Sequence, residues 1–153
     1  MLQLVNHRVR ISLRIIVSHE FLLKYGLYNL KVMSDSTASE LLQKWINAIK
    51  NGDPKQVVNL YHENGILLGT FSPKERVGHE LILEYFENLL QSPVEVEIVS
   101  EHPHVFKLSA VNSGLYNFIT GGKTIEARFS FAYSKNDAEW KIISHHSSVL
   151  PET

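Results

Sequence analysis

ARFSFAYSKNDAEWKIISHHSSVLP, residues Ala127–Pro151, contains two runs of apolar, β-branched and aromatic side chains separated by a polar segment. The first run is Ala127–Tyr133 and the second is Trp140–Leu150, and the segment between them has the length of a hairpin turn. Strand-forming composition on both sides of a short polar turn is the strongest local signal for two paired strands. The stretch therefore predicts the last two strands of an antiparallel sheet, with helices from earlier in the chain packed against one face.

Upstream of this hairpin, capping residues and apolar spacing predict three helices. The first begins near Thr37, carries an apolar residue every three or four positions, and ends at Gly52, which adopts the left-handed conformation freely. Pro54 occupies the first position of a second helix, where no backbone donor is needed, and that helix stops at Gly65. A third helix is predicted at about Glu80–Leu90, before a Ser-Pro pair.

The remaining apolar runs predict strands. Val94–Ser100 alternates apolar and acidic residues, which is typical of a strand with one buried and one solvated face. Phe71–Gly78 is predicted to be a loop, and Gly121-Gly122 a turn. Further strand segments are predicted at Ile66–Thr70, Val105–Leu108 and Gly114–Thr120. The resulting order, α-α-β-α-β-β-β-β, indicates an α+β fold with the helices on one face of a strongly curved, mostly antiparallel sheet.

Length and composition fit a single folded domain. The chain has 153 residues, of which 44% are hydrophobic, enough to bury a core. The net charge of −1 gives no reason to expect nucleic-acid binding, and no apolar run is long enough to span a membrane. The chain has no cysteine, which excludes disulfides, thiol nucleophiles and thiolate metal sites and is compatible with the cytosol. We expect a cytoplasmic protein and predict neither a metal nor a cofactor.

The first 33 residues differ in charge from the rest of the chain. Residues 1–32 have a net charge of +4, whereas residues 34–153 have a net charge of −5. Three interpretations stay open for residues 1–33: an appended or poorly packed basic extension, a translation start at Met33, or a basic amphipathic arm that binds a partner. In each of them, the single folded domain is predicted at 34–153.

Several segments of the chain together resemble one protein family. They are Trp45 with Asn51–Pro54 and Leu60-Tyr61, Arg76–Gly78 before a helix ending Tyr85-Phe86, His102–His104, Gly114–Phe118, Ala127–Phe129 and the closing run His145–Pro151. These segments resemble the nuclear-transport-factor-2-like, or SnoaL-like, superfamily. Within it, the chain is similar to stand-alone bacterial homologues, of the SgcJ/EcaC type, of the association (hub) domain of calcium/calmodulin-dependent protein kinase II. The resemblance covers about residues 37–152.

This resemblance implies a cone-shaped α+β barrel with a ligand pocket between the helices and the sheet. It also implies a homodimer that forms through the outer face of the sheet. Kinase hubs assemble further into rings, so a higher oligomer stays open. The late-strand arginines with which hub domains hold small carboxylates correspond to Phe131 and Ser147 here, so that clamp is not preserved.

Aromatic and arginine side chains are the candidates for the predicted pocket. Arginine offers a fork of donors suited to a carboxylate, which makes Arg76 and Arg128 the cations of interest, although Arg128 points away unless its strand is bulged. Aromatic residues fill cores more often than they line small-molecule sites, and both roles stay open. The predicted pocket set is Trp45, Tyr61, Phe71, Arg76, Tyr85, Phe86, Tyr116, Phe118, Arg128, Phe129, Phe131 and Ser147.

The adjacent pair His145-His146 provides the candidate acid or base. Neighbouring residues on a strand point to opposite faces, so both cannot bind one metal ion without a bulge. We expect one of them in the pocket or at its rim and the other at an interface. His102 and His104 share a face of an extended segment. A His-x-His pair without a third ligand is weak evidence for zinc, and we assign this pair a structural role.

The carboxylates decide between a binding module and an enzyme. Enzymes that the chain resembles use a pocket Asp, alone or with a His, as the base. The Asp residues here lie in a linker, a helix cap and a turn: Asp35, Asp53 and Asp137. Glu63 and Glu126 are not clearly inward. We therefore predict a non-catalytic, dimeric module for small-molecule binding or assembly. The alternative is a SnoaL-like isomerase, cyclase, hydratase or oxidoreductase-like enzyme that uses His145 or His146 on a small hydrophobic substrate.

Overall fold

The computed structural model describes residues 37–137 and 139–152. The basic extension predicted at residues 1–33 lies outside this part of the chain. Within the described part, three helices and two short strands come first, and four long strands follow.

The helices are α1 over 37–51, α2 at Pro54–Val58 and α3 at His79–Leu89. Asp53 caps α2 by accepting a hydrogen bond at Oδ1 from the backbone N–H of Lys55 at 2.9 Å, so the predicted start of the second helix is confirmed. The prediction of the third helix is confirmed to within a residue at each end. No helix in the described ranges is both long and apolar enough to cross a membrane.

One sheet contains the six strands that the described residues form. They are β1 Tyr61–Leu68, β2 Glu75–Val77, β3 Val94–Val105, β4 Ser109–Thr120, β5 Lys123–Asn136 and β6 Glu139–Val149. Their order across the sheet is β2-β1-β6-β5-β4-β3. Neighbouring strands are antiparallel except β1 and β6, which run parallel. The predicted α+β class and mostly antiparallel sheet are confirmed.

The second helix is shorter than predicted. It ends at Val58, and β1 begins at Tyr61, where the sequence predicted helix as far as Gly65. The reason lies late in the chain: the backbone N–H of Ile142 in β6 donates to the carbonyl of Leu60 at 2.8 Å, and Tyr61 pairs with Ile142. This long-range pairing overrides the local helical preference.

Two further segment predictions were wrong. The predicted loop Phe71–Gly78 contains β2, which pairs antiparallel with β1. A strand of three residues is too short to show a periodic pattern. The predicted strand Val105–Leu108 is the end of β3 and a tight turn, in which the backbone N–H of Phe106 donates to the carbonyl of Ser109 at 2.8 Å.

Two bulges decide which side chains face the helices. In β6 the extra residue Ile143 interrupts the pairing with β5, and as a result Ile142 and His145 face the same side and are each 2% exposed. In β3 a bulge at Val99 brings Glu101 to that side. We call the buried side of the sheet the inner face and the opposite side the outer sheet face.

Candidate functional site

His145 lies on the inner face, enclosed by aromatic rings. Its ring stacks on Phe131 at a centroid distance of 3.9 Å and meets Trp45 edge to face at 5.1 Å. The hydroxyl of Tyr61 lies 2.7 Å from Nδ1 and accepts a hydrogen bond from Nε1 of Trp45 at 3.3 Å. Because the indole N–H only donates, the hydroxyl oxygen of Tyr61 is its acceptor, and the same hydroxyl links Trp45 to Nδ1 of His145.

This environment keeps His145 neutral. Burial, with a smaller contribution from the charge of His146, lowers the pKa of His145 to about 3. Nδ1 is hydrogen-bonded to Tyr61, and Nε2 has no hydrogen-bond partner among the described residues, so neither ring nitrogen contacts a carboxylate of this part of the chain. An imidazole that transfers protons near neutral pH needs a pKa close to that of the solution and a group that orients it, and His145 has neither.

A second set of buried hydroxyls lies on the same face. Tyr116 donates its hydroxyl hydrogen to Oγ of Ser147 at 2.6 Å, and Ser147 is also hydrogen-bonded to Thr70. Burial raises the pKa of the Tyr116 and Tyr61 phenols, so both keep their protons. These partners of Ser147 are hydroxyls and not bases, so they do not activate it as a nucleophile.

Most of the predicted aromatic pocket residues pack against one another. The ring of Tyr116 lies 4.8 Å from the rings of Phe118 and Phe129, centroid to centroid. Seven of the nine are less than 5% exposed and belong to the core: Trp45, Tyr61, Phe86, Tyr116, Phe118, Phe129 and Phe131. Their rings occupy the space between the helices and the inner face.

The other two aromatic candidates meet Arg76 at a cleft of about 590 Å³, which we call the Arg76 cleft. Phe71 is 43% exposed there and meets Phe118 edge to face at 5.5 Å, while Tyr85 is buried. The remaining residues that line the cleft are Ser72, Asn88, Leu89, Gln91, Ser92, Thr120 and Ile125.

Arg76 itself is only 7% exposed, and its hydrogen bonds are made by Nη1. Nη1 donates to Oγ of Ser72 at 2.6 Å and to the carbonyl of Lys74 at 3.2 Å. The guanidinium carbon lies 5.0 Å from the ring centroid of Tyr85, a cation–π contact. Nη2 is 3.9 Å from the carboxylate of Glu84, and Nε has no hydrogen-bond partner in the described part of the chain.

The structure places the remaining candidates on the outer sheet face. Arg128 is exposed, and its Nε donates to Oγ of Ser148 at 2.9 Å. His146 is exposed as well, opposite to its buried neighbour, as strand alternation requires. His102 and His104 lie exposed on the edge strand β3. Across residues 37–137 and 139–152, no three His, Cys, Asp or Glu side chains are grouped to hold a metal ion.

Sequence reasoning missed a polar cluster on the inner face. Asn112 is fully buried and donates from Nδ2 to Oε2 of Glu101 at 2.7 Å. Oδ1 of Asn112 and the buried hydroxyl of Tyr133 have no hydrogen-bond partner among the residues that the structure describes. Burial, together with the charge of Glu101, raises the pKa of Tyr133. Alternation along β3 points Glu101 outward, and the bulge at Val99 that reverses this leaves no mark in the sequence pattern.

A comparison with protein families matches residues 36–151 to the calcium/calmodulin dependent protein kinase II association domain. Among solved structures, the chain is similar to a Xanthomonas campestris protein that is provisionally assigned to the same association domain. The two share 36% sequence identity with a TM-score of 0.71, over 75% of this chain and 86% of that chain. A comparison with curated proteins gave no match.

Two structures with lower sequence identity share the fold. An NTF2-like protein from Streptomyces avermitilis, provisionally called a dehydratase, has 14% identity and a TM-score of 0.70 over 77% of this chain and 96% of that chain. An NTF2-like protein with a cystatin-like fold from Novosphingobium aromaticivorans has 13% identity and a TM-score of 0.68 over 86% and 92%. At such identities the likeness concerns the fold alone.

Proposed function

Because the chain belongs to the calcium/calmodulin dependent protein kinase II association domain family, we propose that it is a non-catalytic module that forms a homodimer through its outer sheet face and binds a small molecule. Association needs a surface that a second copy can cover, and a twofold dimer uses the same surface on both copies. Larger rings built from such dimers, and a cytoplasmic location that agrees with the cysteine-free sequence, belong to the same proposal.

The observation that carries the proposal is a set of exposed apolar side chains on the outer sheet face. Ile66, Leu68, Val77 and Val111 lie on that face and are 40%, 42%, 51% and 37% exposed. Between them, β5 and β6 contribute mostly small outward residues: Ser130, Ala132, Ser144 and His146. Exposed apolar side chains grouped on one face mark an interaction surface.

The polar groups of this face also favour contact with a second copy. Oγ of Ser113 lies 2.8 Å from Oγ of Ser130, and Arg128 is held by Ser148. Serine side chains lose little conformational entropy when they are covered, and a guanidinium that is already oriented loses less than a free one. Covering this face therefore costs less than covering a face of long, mobile charged side chains.

The interior supports the non-catalytic part of the proposal. Dehydration or isomerisation needs a base beside an open substrate site, whereas His145 is neutral, enclosed by rings and, within residues 37–137 and 139–152, without a carboxylate partner. The inward Glu101 is bonded to Asn112 instead. Turnover of a small hydrophobic substrate that is abolished by His145→Gln would instead support the enzyme.

Sedimentation velocity of two variants with matched exposure tests the dimer. Leu68→Glu places a carboxylate on the outer sheet face, at a side chain that is 42% exposed, and Leu81→Glu makes the same change on α3, at one that is 43% exposed. A substitution appears twice in a twofold interface, so Leu68→Glu should weaken dimerisation by about 100-fold or more and Leu81→Glu should leave it unchanged. A monomeric wild type at micromolar concentration, or equal dimerisation of both variants, would contradict the proposal.

A further inference from the structure

β3 lies at one edge of the sheet, and among the strands of the described residues only β4 pairs with it. An edge strand presents unpaired backbone N–H and C=O groups on its open side, where a further strand can add. β3 has 12 residues, more than most strands, whereas β2 at the opposite edge has three. The bulge at Val99 and the missing N–H of Pro103 interrupt the regular row of backbone groups, so side chains must select the strand that adds.

The outward side chains of β3 form two groups of opposite character. Glu95 and Glu97 precede the bulge at Val99, and His102 and His104 follow it. The extra residue in the bulge shifts the alternation by one position, so all four side chains lie on the outer sheet face. All four are exposed, and none forms an ion pair or a side-chain hydrogen bond within the part of the chain that the structure describes. Two acceptors and two donors are therefore available along this edge.

Two copies of this strand complement each other when they lie antiparallel. With a twofold axis directly after Val99, Glu95 of each copy lies opposite His104 of the other, and Glu97 lies opposite His102. An imidazole N–H can donate to the carboxylate in each of these cross-strand pairs. Shifting the register by two residues in either direction keeps only one kind of pair, and parallel strands in register bring glutamate beside glutamate. The sequence of β3 thus specifies one register for contact with itself.

The same register also matches the apolar side chains of β3. Val99, which is 59% exposed, lies at the axis and contacts Val99 of the second copy. On the inner side, Val94 and Val96 come beside Val105 and Pro103 of the second copy. An apolar contact at the centre with polar pairs on both sides is the usual arrangement of a protein interface.

We propose that the β3 edge binds the β3 edge of a second copy, antiparallel about a twofold axis at Val99, with the two glutamates of each strand bonded to the two histidines of the other. This contact is separate from the outer sheet face and goes beyond the proposed function. One strand against another buries less than the roughly 1,200 Å² of a stable interface, so the edge contact is weak and forms at high protein concentration. It requires neither the outer-face dimer nor a bound small molecule.

Disulfide formation between copies tests the register, because the chain has no cysteine of its own. Opposed residues on antiparallel strands have Cα atoms about 4.5–5.5 Å apart, within reach of a disulfide. A mixture of Glu97→Cys and His102→Cys proteins should form the mixed disulfide under mild oxidation. Glu97→Cys alone should not, since its two copies would be about 17 Å apart along the strands. A mixture of Glu87→Cys, on α3, with His102→Cys measures random collision, and a mixed disulfide no more abundant than in this control would overturn the inference.

Charge reversal provides a matched pair of variants, both carrying Leu68→Glu to remove the outer-face contact. Glu95→Lys/Glu97→Lys places lysine opposite histidine, and His102→Glu/His104→Glu places glutamate opposite glutamate. Each variant alone should associate through the edge about tenfold or more weakly than the Leu68→Glu protein in sedimentation equilibrium. A mixture of the two variants restores every opposite pair and should recover the association. A mixture that associates no better than either variant alone would contradict the proposed pairing.

The same variants separate this contact from the proposed dimer. The mixed disulfide between Glu97→Cys and His102→Cys should persist when both proteins also carry Leu68→Glu, which excludes the outer sheet face as its source. If the disulfide disappears with Leu68→Glu, the two cysteines meet through the outer-face dimer, and the inference falls while the proposed dimer stands. If Leu68→Glu leaves dimerisation unchanged but the disulfide still forms, the proposed dimer falls and the edge contact stands.

Discussion

The two faces of the sheet differ in how far their side chains already have partners within the chain. On the inner face, aromatic rings cover one another, and Trp45, Tyr61 and His145 form a hydrogen-bonded series. On the outer sheet face, apolar side chains such as Leu68 and Val77 are about half exposed. The difference suggests that the interior holds the fold together and that the exterior makes the contacts with other molecules.

A second comparison concerns two buried nitrogens. Nε2 of His145 and Nε of Arg76 both lack a hydrogen-bond partner among the described residues. Imidazole avoids the cost of burial by staying neutral, so His145 needs no counter-ion. Guanidinium cannot lose its charge, so Arg76 stays cationic in its buried position.

The largest effect is expected where the inner face depends on a bulge. A Cβ at Gly114 would lie 2.0 Å from the carbonyl oxygen of Ser100, at the point where β3 bulges. Gly114→Ala should therefore lower the free energy of unfolding by about 3 kcal/mol or more, measured by urea denaturation. The exposed strand position Thr124→Ala is the control, with a change of about 0.5 kcal/mol or less. Equal stability of the two variants would contradict this, because it would show that β3 shifts to make room for the added Cβ.

Lowering the pH should reduce the stability of the fold through His145 on the inner face. In the unfolded chain this histidine takes up a proton below its ordinary pKa of about 6.5, whereas in the folded chain it stays neutral down to about pH 3. Between these values the unfolded state binds more protons. The free energy of unfolding should therefore decrease as the pH is lowered, by up to about 1.4 kcal/mol per pH unit. Comparing wild type with His145→Gln at several pH values should show that this part of the slope disappears. Parallel curves for the two proteins would argue against a neutral, buried His145.

Removing one hydroxyl should have a smaller effect. Tyr61→Phe leaves Nδ1 of His145 and Nε1 of Trp45 without their shared partner inside the core. We expect a loss of about 1–3 kcal/mol in the free energy of unfolding, measured by denaturation. On the outer sheet face, Ser113→Ala removes a hydroxyl bonded to Ser130 and serves as the control, with little change. Similar losses for both would remove the energetic distinction between the two faces.

The smallest effect on folding is expected at Arg128. Its side chain is exposed and bonded to Ser148 on the outer sheet face, so Arg128→Ala should change the free energy of unfolding by about 0.5 kcal/mol or less in the isolated monomer. Its effect should appear as weaker self-association in sedimentation experiments. A large loss of monomer stability without any change in association would reverse the roles assigned to the two faces.

Local signals in the sequence were enough to predict much of this fold. The hairpin of β5 and β6 was predicted because strand composition flanks a polar turn, and α3 was predicted because its apolar spacing is regular. Alternation also predicted that His145 and His146 point to opposite faces. The class of fold and the family resemblance followed from these elements together, and both are confirmed.

The features that the sequence did not reveal depend on distant pairing. The start of β1 at Tyr61 requires β6 as its neighbour, and β2 exists only because β1 is beside it. The bulge at Val99 reverses the direction of Glu101 without any change in the residue pattern. Among the described residues, the acceptors around Arg76 bond Nη1 and leave Nε unpaired, which no spacing of residues encodes.

The distance between labelled copies tests most directly whether the outer sheet face is the surface that a second copy covers. Because the chain has no cysteine, Glu126→Cys on the outer side of β5 and Glu87→Cys on α3 each accept one spin label. Dipolar spectroscopy should give a shorter distance between copies for the Glu126 label than for the Glu87 label, since the helices would lie on the far sides of the dimer. A shorter distance for the Glu87 label, or no distance between copies for either label, would contradict the account.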